Sequence, residues 1–178
     1  MPELSSKADN PETLRFTKDS IINEEQVKVY LSGCLTIESE GKKLAPIGTL
    51  RETGIVAVTD CPQTPQDNQI FSKAIEYAAM FNLPVIEMPR DLSLSPEGQA
   101  HESLMSLKMG LKGIPRISEE MFVARSILLS KYSGAKIHLT SISSKGSVEQ
   151  IRKAKEEGIC ITCDVTSNHL FCNEDSIE

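Results

Sequence analysis

The sequence predicts an α/β fold built on a parallel sheet, and three observations lead to it. Short β-branched runs alternate with stretches of helical period along the whole 178 residues. Acids, Pro or Ser stand at helix starts, and Gly stands at their ends. Five strand-like runs are separated by helices, which implies parallel pairing through right-handed crossovers. That pattern suits an open doubly wound sheet or a (β/α)8 barrel. A barrel typically takes about 250 residues, and this chain is short of that by about two βα units.

The elements follow in order. Asp9 or Asn10 caps a short helix with Pro11 at its first position. "VKVYLSG" (27–33) reads as a strand, "KLAPIGTLRETG" as a short helix closed by Gly54, and "IVAVTD" (55–60) as a strand ending in an acid. In 66–82, Ile70, Ala74, Ile75, Ala78 and Phe81 fall on one helical stripe that leads into the strand "LPVIEM" (83–88). "PEGQAHESLMSLKMG" and "SEEMFVARSILLSKYSG" read as two helices separated by "LKGIPR". The second opens at Ser118 with acids in its first turn and stops at Gly134. "KIHLTS" (136–141) is a strand, a helix starts near Lys145, and "GICITCDV" (158–165) is the last strand. A chain of this length is expected to form a single domain, 1–178.

A net charge of -6 and a pI near 5.2 argue against a nucleic-acid or anionic-membrane surface, since both need a basic face. No run approaches the roughly 18 apolar residues of a membrane span. The start "MPELSSKADN" lacks the basic and apolar regions of a signal peptide, so a cytoplasmic location is expected. The five cysteines, at 34, 61, 160, 163 and 172, form no regular framework and are expected to be reduced thiols.

The segments "ADNPETLRF", "KKLAPIGTLRETGIVAVTD", "AIEYAAMFNLPVIE", "LKMGLKGIPRISEEMFVARSILLSKYSGAKIHL", "SVEQIRKAKEEG" and "CDVTSNHL" resemble, in order, the middle portion of a dihydroorotase. Dihydroorotases are metal-dependent cyclic-amide hydrolases of pyrimidine synthesis in the amidohydrolase superfamily. The resemblance implies an incomplete TIM barrel of the metal-dependent hydrolase type. It also implies that the family's His-x-His metal pair lies upstream of Met1-Pro2-Glu3 and that its general-base acid lies beyond Glu178.

At the chemical positions the chain departs from the family. Met88 and Ser141 stand where the resemblance places metal-binding histidines, and Glu3 stands where it places an asparagine that holds the substrate carboxylate. Asp60 is the acid left at a metal-ligand position, and Cys61 replaces the second acid beside it. A catalytic zinc needs about three protein ligands, and a serine hydroxyl or a thioether is a poor one. Asp60 is therefore expected chiefly to cap its loop or meet solvent, with metal ligation the competing role. Met88 is expected to fill core.

Ser141, Ser143 and Ser144 could hold a phosphate at the following helix N-terminus, although capping is the commoner use of such residues. His138 reads as a partly buried, hydrogen-bonded histidine and His101 as a solvent-facing one, while His169 matches a family histidine of structural character. Cys160, Cys163, His169 and Cys172 have the ligand count of a zinc knuckle. A strand over 160–163, however, would point the first two cysteines to opposite faces, which disfavours both zinc and a redox pair.

Three functions compete. The first is a dihydroorotase-like protein without catalysis that needs no cofactor and acts as a structural partner, with aspartate carbamoyltransferase as the partner implied by the resemblance. The second is an active zinc-dependent hydrolase completed by further sequence or by another chain. The third is a small-ligand binding module using the old pocket. Unpaired strand edges lead to the expectation of a homo- or hetero-oligomer.

Overall fold

The computed structural model describes residues 7–22 and 28–172. Its strands are β1 (Ser32–Gly33), β2 (Ala57–Thr59), β3 (Val85–Glu87), β4 (Ala100–His101), β5 (Gly113–Ile114), β6 (Ile137–Leu139) and β7 (Ile161–Cys163). Five of them form one parallel sheet in the order β1-β2-β3-β6-β7, and β4 pairs with β5 in a separate ribbon. Each strand of the main sheet lies beside the one that precedes it in that sheet. A sheet that never reverses its order, with helices between strands, is a partial (β/α) barrel.

The register divides the sheet into two faces. Val58, Val85, Ile137 and Ile161 form one row across the strands, and Thr59, Ile86, His138 and Thr162 form the next. Alternation along a strand sends these rows to opposite sides. The first row is buried against α3 (Asn68–Met80), α5 (Ile117–Ser133) and α6 (Lys145–Glu156), through Phe71, Ala74, Ile75, Ala78, Val123 and Ile151. The second row lines the concave side and is polar at Thr59, His138 and Thr162, with the apolar Ile86 among them.

Helix boundaries follow local chemistry. α1 (Pro11–Ile22) starts with Asn10 accepting from the Thr13 N–H at 2.9 Å. Asp67 caps α3, accepting from the Gln69 and Ile70 N–H groups at 2.7 and 3.0 Å. α5 ends at Gly134, whose φ of 71° is the left-handed value a glycine takes without strain. α2 (Ile47–Glu52), α4 (Leu104–Lys108) and α7 (Ser167–Phe171) are short. None of the helices among the described residues is long and apolar enough to cross a membrane.

Three expectations need correction. Val29 and Tyr30 are exposed, so the first strand is confined to its last two residues, and residue 27 lies outside the described region. Only the end of the helix expected over 96–110 is helical. Gly98 packs so closely on Ser95 and Ile114 that a side chain there would collide, and 99–102 bonds to the 112–114 segment. Helix then begins at Leu104, where Ser103 and Ser106 cap one another. On α3 the core face is rotated: Phe71 is fully buried, while Ile70 and Phe81 are only half-buried.

The core-facing row also contains a charge. Glu87 alternates with Val85 and is buried, so its carboxylate needs partners within the protein. Arg125 of α5 donates from Nη2 to Oε1, Ser126 donates its hydroxyl to Oε2, and Thr64 donates to Oε1 at 2.9 Å. The guanidinium lies over the rings of Phe71 and Phe122, 4.3 and 3.8 Å from their centroids, and Nη1 donates to the Pro65 carbonyl at 2.8 Å. Arg125→Ala is expected to leave Glu87 buried without its cation and to cost about 3–5 kcal/mol in urea denaturation. Arg125→Lys keeps the charge but not the planar fork, and should recover only part of that loss.

Candidate functional site

In a parallel α/β protein, chemistry gathers where the strands end at their C-terminal side. Here that rim holds Asp60 after β2, Met88 after β3, Thr140 and Ser141 after β6, and Asp164 after β7.

Asp60 is 3 % exposed and is committed to the backbone beside it. Its Oδ1 accepts from the Leu35 and Thr36 N–H groups, both at 2.9 Å, and the Thr36 hydroxyl donates to Oδ2. The Thr36 oxygen in turn accepts from the Gly41 N–H at 2.9 Å. The carboxylate thus ties the end of β2 to the loop that leaves β1. Burial raises its pKa above the ordinary value, and the bonds from Thr36 and Leu35 oppose that rise.

Cys61 donates its thiol to the Ile86 carbonyl at 3.6 Å, and burial raises its pKa. Met88 is half-buried and lies outside the core cluster. It continues the alternation of Ile86 rather than that of Val85, so it does not fill the core as expected.

At the other end of the rim a polar cluster joins β6 to β7. His138 contacts the Thr162 hydroxyl through Nδ1 at 2.8 Å and the Asp164 carboxylate through Nε2 at 3.0 Å. Thr140 donates its hydroxyl to both Asp164 oxygens at 3.0 and 3.1 Å, and the Ser141 N–H donates to Oδ1 at 2.8 Å. Ser141 has φ 62°, so the strand has ended by this point and its periodicity no longer governs the residue. The Ser141 N–H is the largest cause holding the Asp164 carboxyl below its ordinary value, and His138 and Thr140 act in the same direction. His138 is thus partly buried and hydrogen-bonded, as its sequence context implies.

The serines before α6 neither cap by side chain nor leave an anion site open. Ser144 occupies the N-cap position without a side-chain capping bond. The orphan N–H groups of Ser143 and Ser144 are instead taken by the Glu119 carboxylate of α5, at 2.9 to 3.2 Å. Ser143 donates its hydroxyl to Glu119 and Ser144 donates to Glu120, both at 2.5 Å. Gly146 lies against the Glu120 carboxylate, which a side chain there would displace. The helix dipole is met by carboxylates of the chain itself.

These positions do not make a zinc site. Asp60 has given its oxygens to two N–H groups and a hydroxyl, Met88 offers a thioether, and Ser141 offers a hydroxyl. Among the described residues no three His, Cys, Asp or Glu side chains converge as a metal-binding group. Cys160 precedes β7 and Cys163 ends it, and they form no metal-binding group with His169 and Cys172, which are exposed on and after α7. His101 is exposed on β4, and Glu3 lies outside the described residues.

Sequence reasoning missed Glu87, Arg125 and Asp164. The available signal was Glu87 itself, an acid in step with the buried positions of an apolar strand, which demands a cation nearby.

In its fold the chain is similar to solved barrel structures of hydantoinases. It superposes on the L-hydantoinase of Arthrobacter aurescens with a TM-score of 0.76 at 15% identity, covering 94% of this chain and 39% of that one. On the D-hydantoinase of a Thermus species the TM-score is 0.71 at 17% identity, covering 98% and 39%. The sequence narrows this further. Residues 1–147 match the dihydro-orotase-like family model. The chain is 35% identical over 177 residues to a dihydroorotase of Pelobacter propionicus, and 36% identical over 177 residues to one of Caldanaerobacter subterraneus. These alignments cover 99% of this chain and 42% and 41% of the two relatives, so it spans about two fifths of their length. The chain belongs to the dihydroorotase-like family.

Asp60→Ala orphans the buried Leu35 and Thr36 N–H groups, and each is expected to cost about 1–3 kcal/mol in urea denaturation at neutral pH. For Asp164, the folded pKa lies below the ordinary 3.8. Its stabilisation is therefore complete above 3.8 and is lost as the pH falls through the folded value. Asp164→Asn should flatten that acid limb in melting temperatures measured from neutral pH down to pH 2.

Proposed function

We propose that the chain is a dihydroorotase-like protein of pyrimidine biosynthesis that lacks catalysis and serves as a structural partner. The observation that carries this reading is the state of Asp60. The acid at the family's ligand position is spent on the Leu35 and Thr36 N–H groups, while Met88 and Ser141 stand at two histidine positions.

Cyclic-amide hydrolysis in such enzymes depends on a metal that lowers the pKa of bound water to about 7 and polarises the carbonyl. Without ligands to fix that ion, the rim can neither generate the nucleophile nor stabilise the charge that develops on the amide oxygen. What remains is a scaffold. Its strands β1 and β7 have one neighbour each among the described residues, and such edges favour pairing with further chain. Aspartate carbamoyltransferase is the partner we propose from family likeness, in a homo- or hetero-oligomeric assembly.

The purified chain supplied with zinc is expected to show no interconversion of dihydroorotate and carbamoyl aspartate, and to co-sediment with aspartate carbamoyltransferase. Zinc-dependent turnover that disappears in Asp60→Ala would overturn the non-catalytic reading and favour an active hydrolase. Failure to co-sediment would remove the proposed partner.

A further inference from the structure

Two sulfur-bearing residues meet at the strand rim. β2 and β3 pair with Thr59 opposite Ile86, and two further residues in that register set Cys61 opposite Met88. Both share the phase of the concave row, both are half-buried, and neither belongs to the hydrophobic core. Direct contact agrees with the register: the Cys61 sulfur accepts from the Met88 N–H and from the Thr59 hydroxyl. The Met88 thioether therefore starts from the residue whose backbone already touches the thiol, and its three rotatable bonds let it turn toward the same point.

We propose that Cys61 and Met88 form a binding site for a soft monovalent metal ion, copper(I), held between a thiolate and a thioether. The donor set decides the metal. Thiolate and thioether sulfur select copper(I), whereas the harder divalent ions take imidazole, carboxylate and water. A catalytic zinc needs about three protein ligands and a structural one four, and this pair supplies two. A closed-shell monovalent ion is satisfied by two. Charge points the same way. One thiolate cancels the charge of one copper(I), so the half-buried site stays neutral, while zinc on the same pair would leave a positive charge without a counter-ion. The neighbouring acid does not compete, because Asp60 holds the Leu35 and Thr36 N–H groups.

Binding exchanges a proton for the metal ion. The Cys61 thiol gives up its bond to the Ile86 carbonyl, 3.6 Å away, and its proton passes to water. A sulfur–copper bond forms in its place, with no change in the oxidation state of either atom. The Thr59 hydroxyl and the Met88 N–H keep donating to a sulfur that bears more negative charge as a metal-bound thiolate than as a thiol. This site goes beyond the non-catalytic reading, which concerns zinc, and does not depend on it.

The test uses the full chain with Cys160, Cys163 and Cys172 replaced by serine, because those thiols are at least partly exposed and would take copper(I) on their own. Titrated without oxygen against a chromophoric copper(I) chelator, this chain should bind one ion, and X-ray absorption should show two sulfur neighbours. In that background Cys61→Ser should weaken binding at least about a hundredfold and Met88→Leu about tenfold. Leucine is close to methionine in volume, and serine keeps a donor for the Ile86 carbonyl. Melting temperatures should therefore stay within a few degrees of the parent, which separates a lost ligand from a lost fold. Silver(I), equally soft, should compete for the site, and zinc(II) should not. No uptake of copper(I), uptake indifferent to either substitution, or a spectrum with a single sulfur neighbour would each overturn the proposal. So would zinc(II) binding at this pair with comparable affinity.

Discussion

A carboxylate on the wrong side of a strand organises much of this molecule. Glu87 stands in line with Val85 on the face that the helices cover, where water cannot reach it. An ion so placed is tolerable only with a cation and hydrogen bonds in fixed positions. Arg125 and Ser126 provide them from adjacent positions on α5, and Thr64 provides one from the loop after β2. The guanidinium is itself held between Phe71 and Phe122. One buried charge therefore fixes the rotation and the height of α5 against β3 and α3. The rest of α5 follows from that setting: its first-turn acids reach the start of α6.

The strand rim shows how a scaffold outlasts the groups it once presented. Asp60 closes the gap between β2 and the loop from β1, which is a structural task that a carboxylate performs with or without a metal. At the far side, His138 and Asp164 lace β6 to β7 near the sheet edge. Both clusters pull neighbouring strands together where the ladder ends, which is where a parallel sheet would otherwise fray. The residues are polar and close, and each is satisfied by its neighbours rather than aimed at a shared point in space.

The alternation of strands and helices was legible because each element carries its own period and its own caps, as at Asp67 before α3 and Gly134 after α5. Family resemblance added the closed-barrel parentage that length alone left open between two architectures. The losses came where tertiary contacts decide. The 96–110 stretch has helical composition, but Gly98 is committed to close packing and 99–102 bonds to a later segment. Ser144 looked like a cap, yet its helix is capped by acids from another helix, and no local pattern announces that. Met88 was misplaced because an apolar residue after a buried strand reads as core, whereas its phase along the strand turns it to the concave side.

The unreversed strand order has a kinetic meaning. In the main sheet every ladder joins a strand to the one before it, so each new βα unit completes its pairing against structure already present. Loop-closure cost is then met in instalments, the longest of them the segment between β3 and β6. Among the described residues the sheet behaves like a short stack of repeats, with cohesion between neighbouring strands. Within this stack β2 and β3, locked by Asp60 and Glu87, are the last to separate.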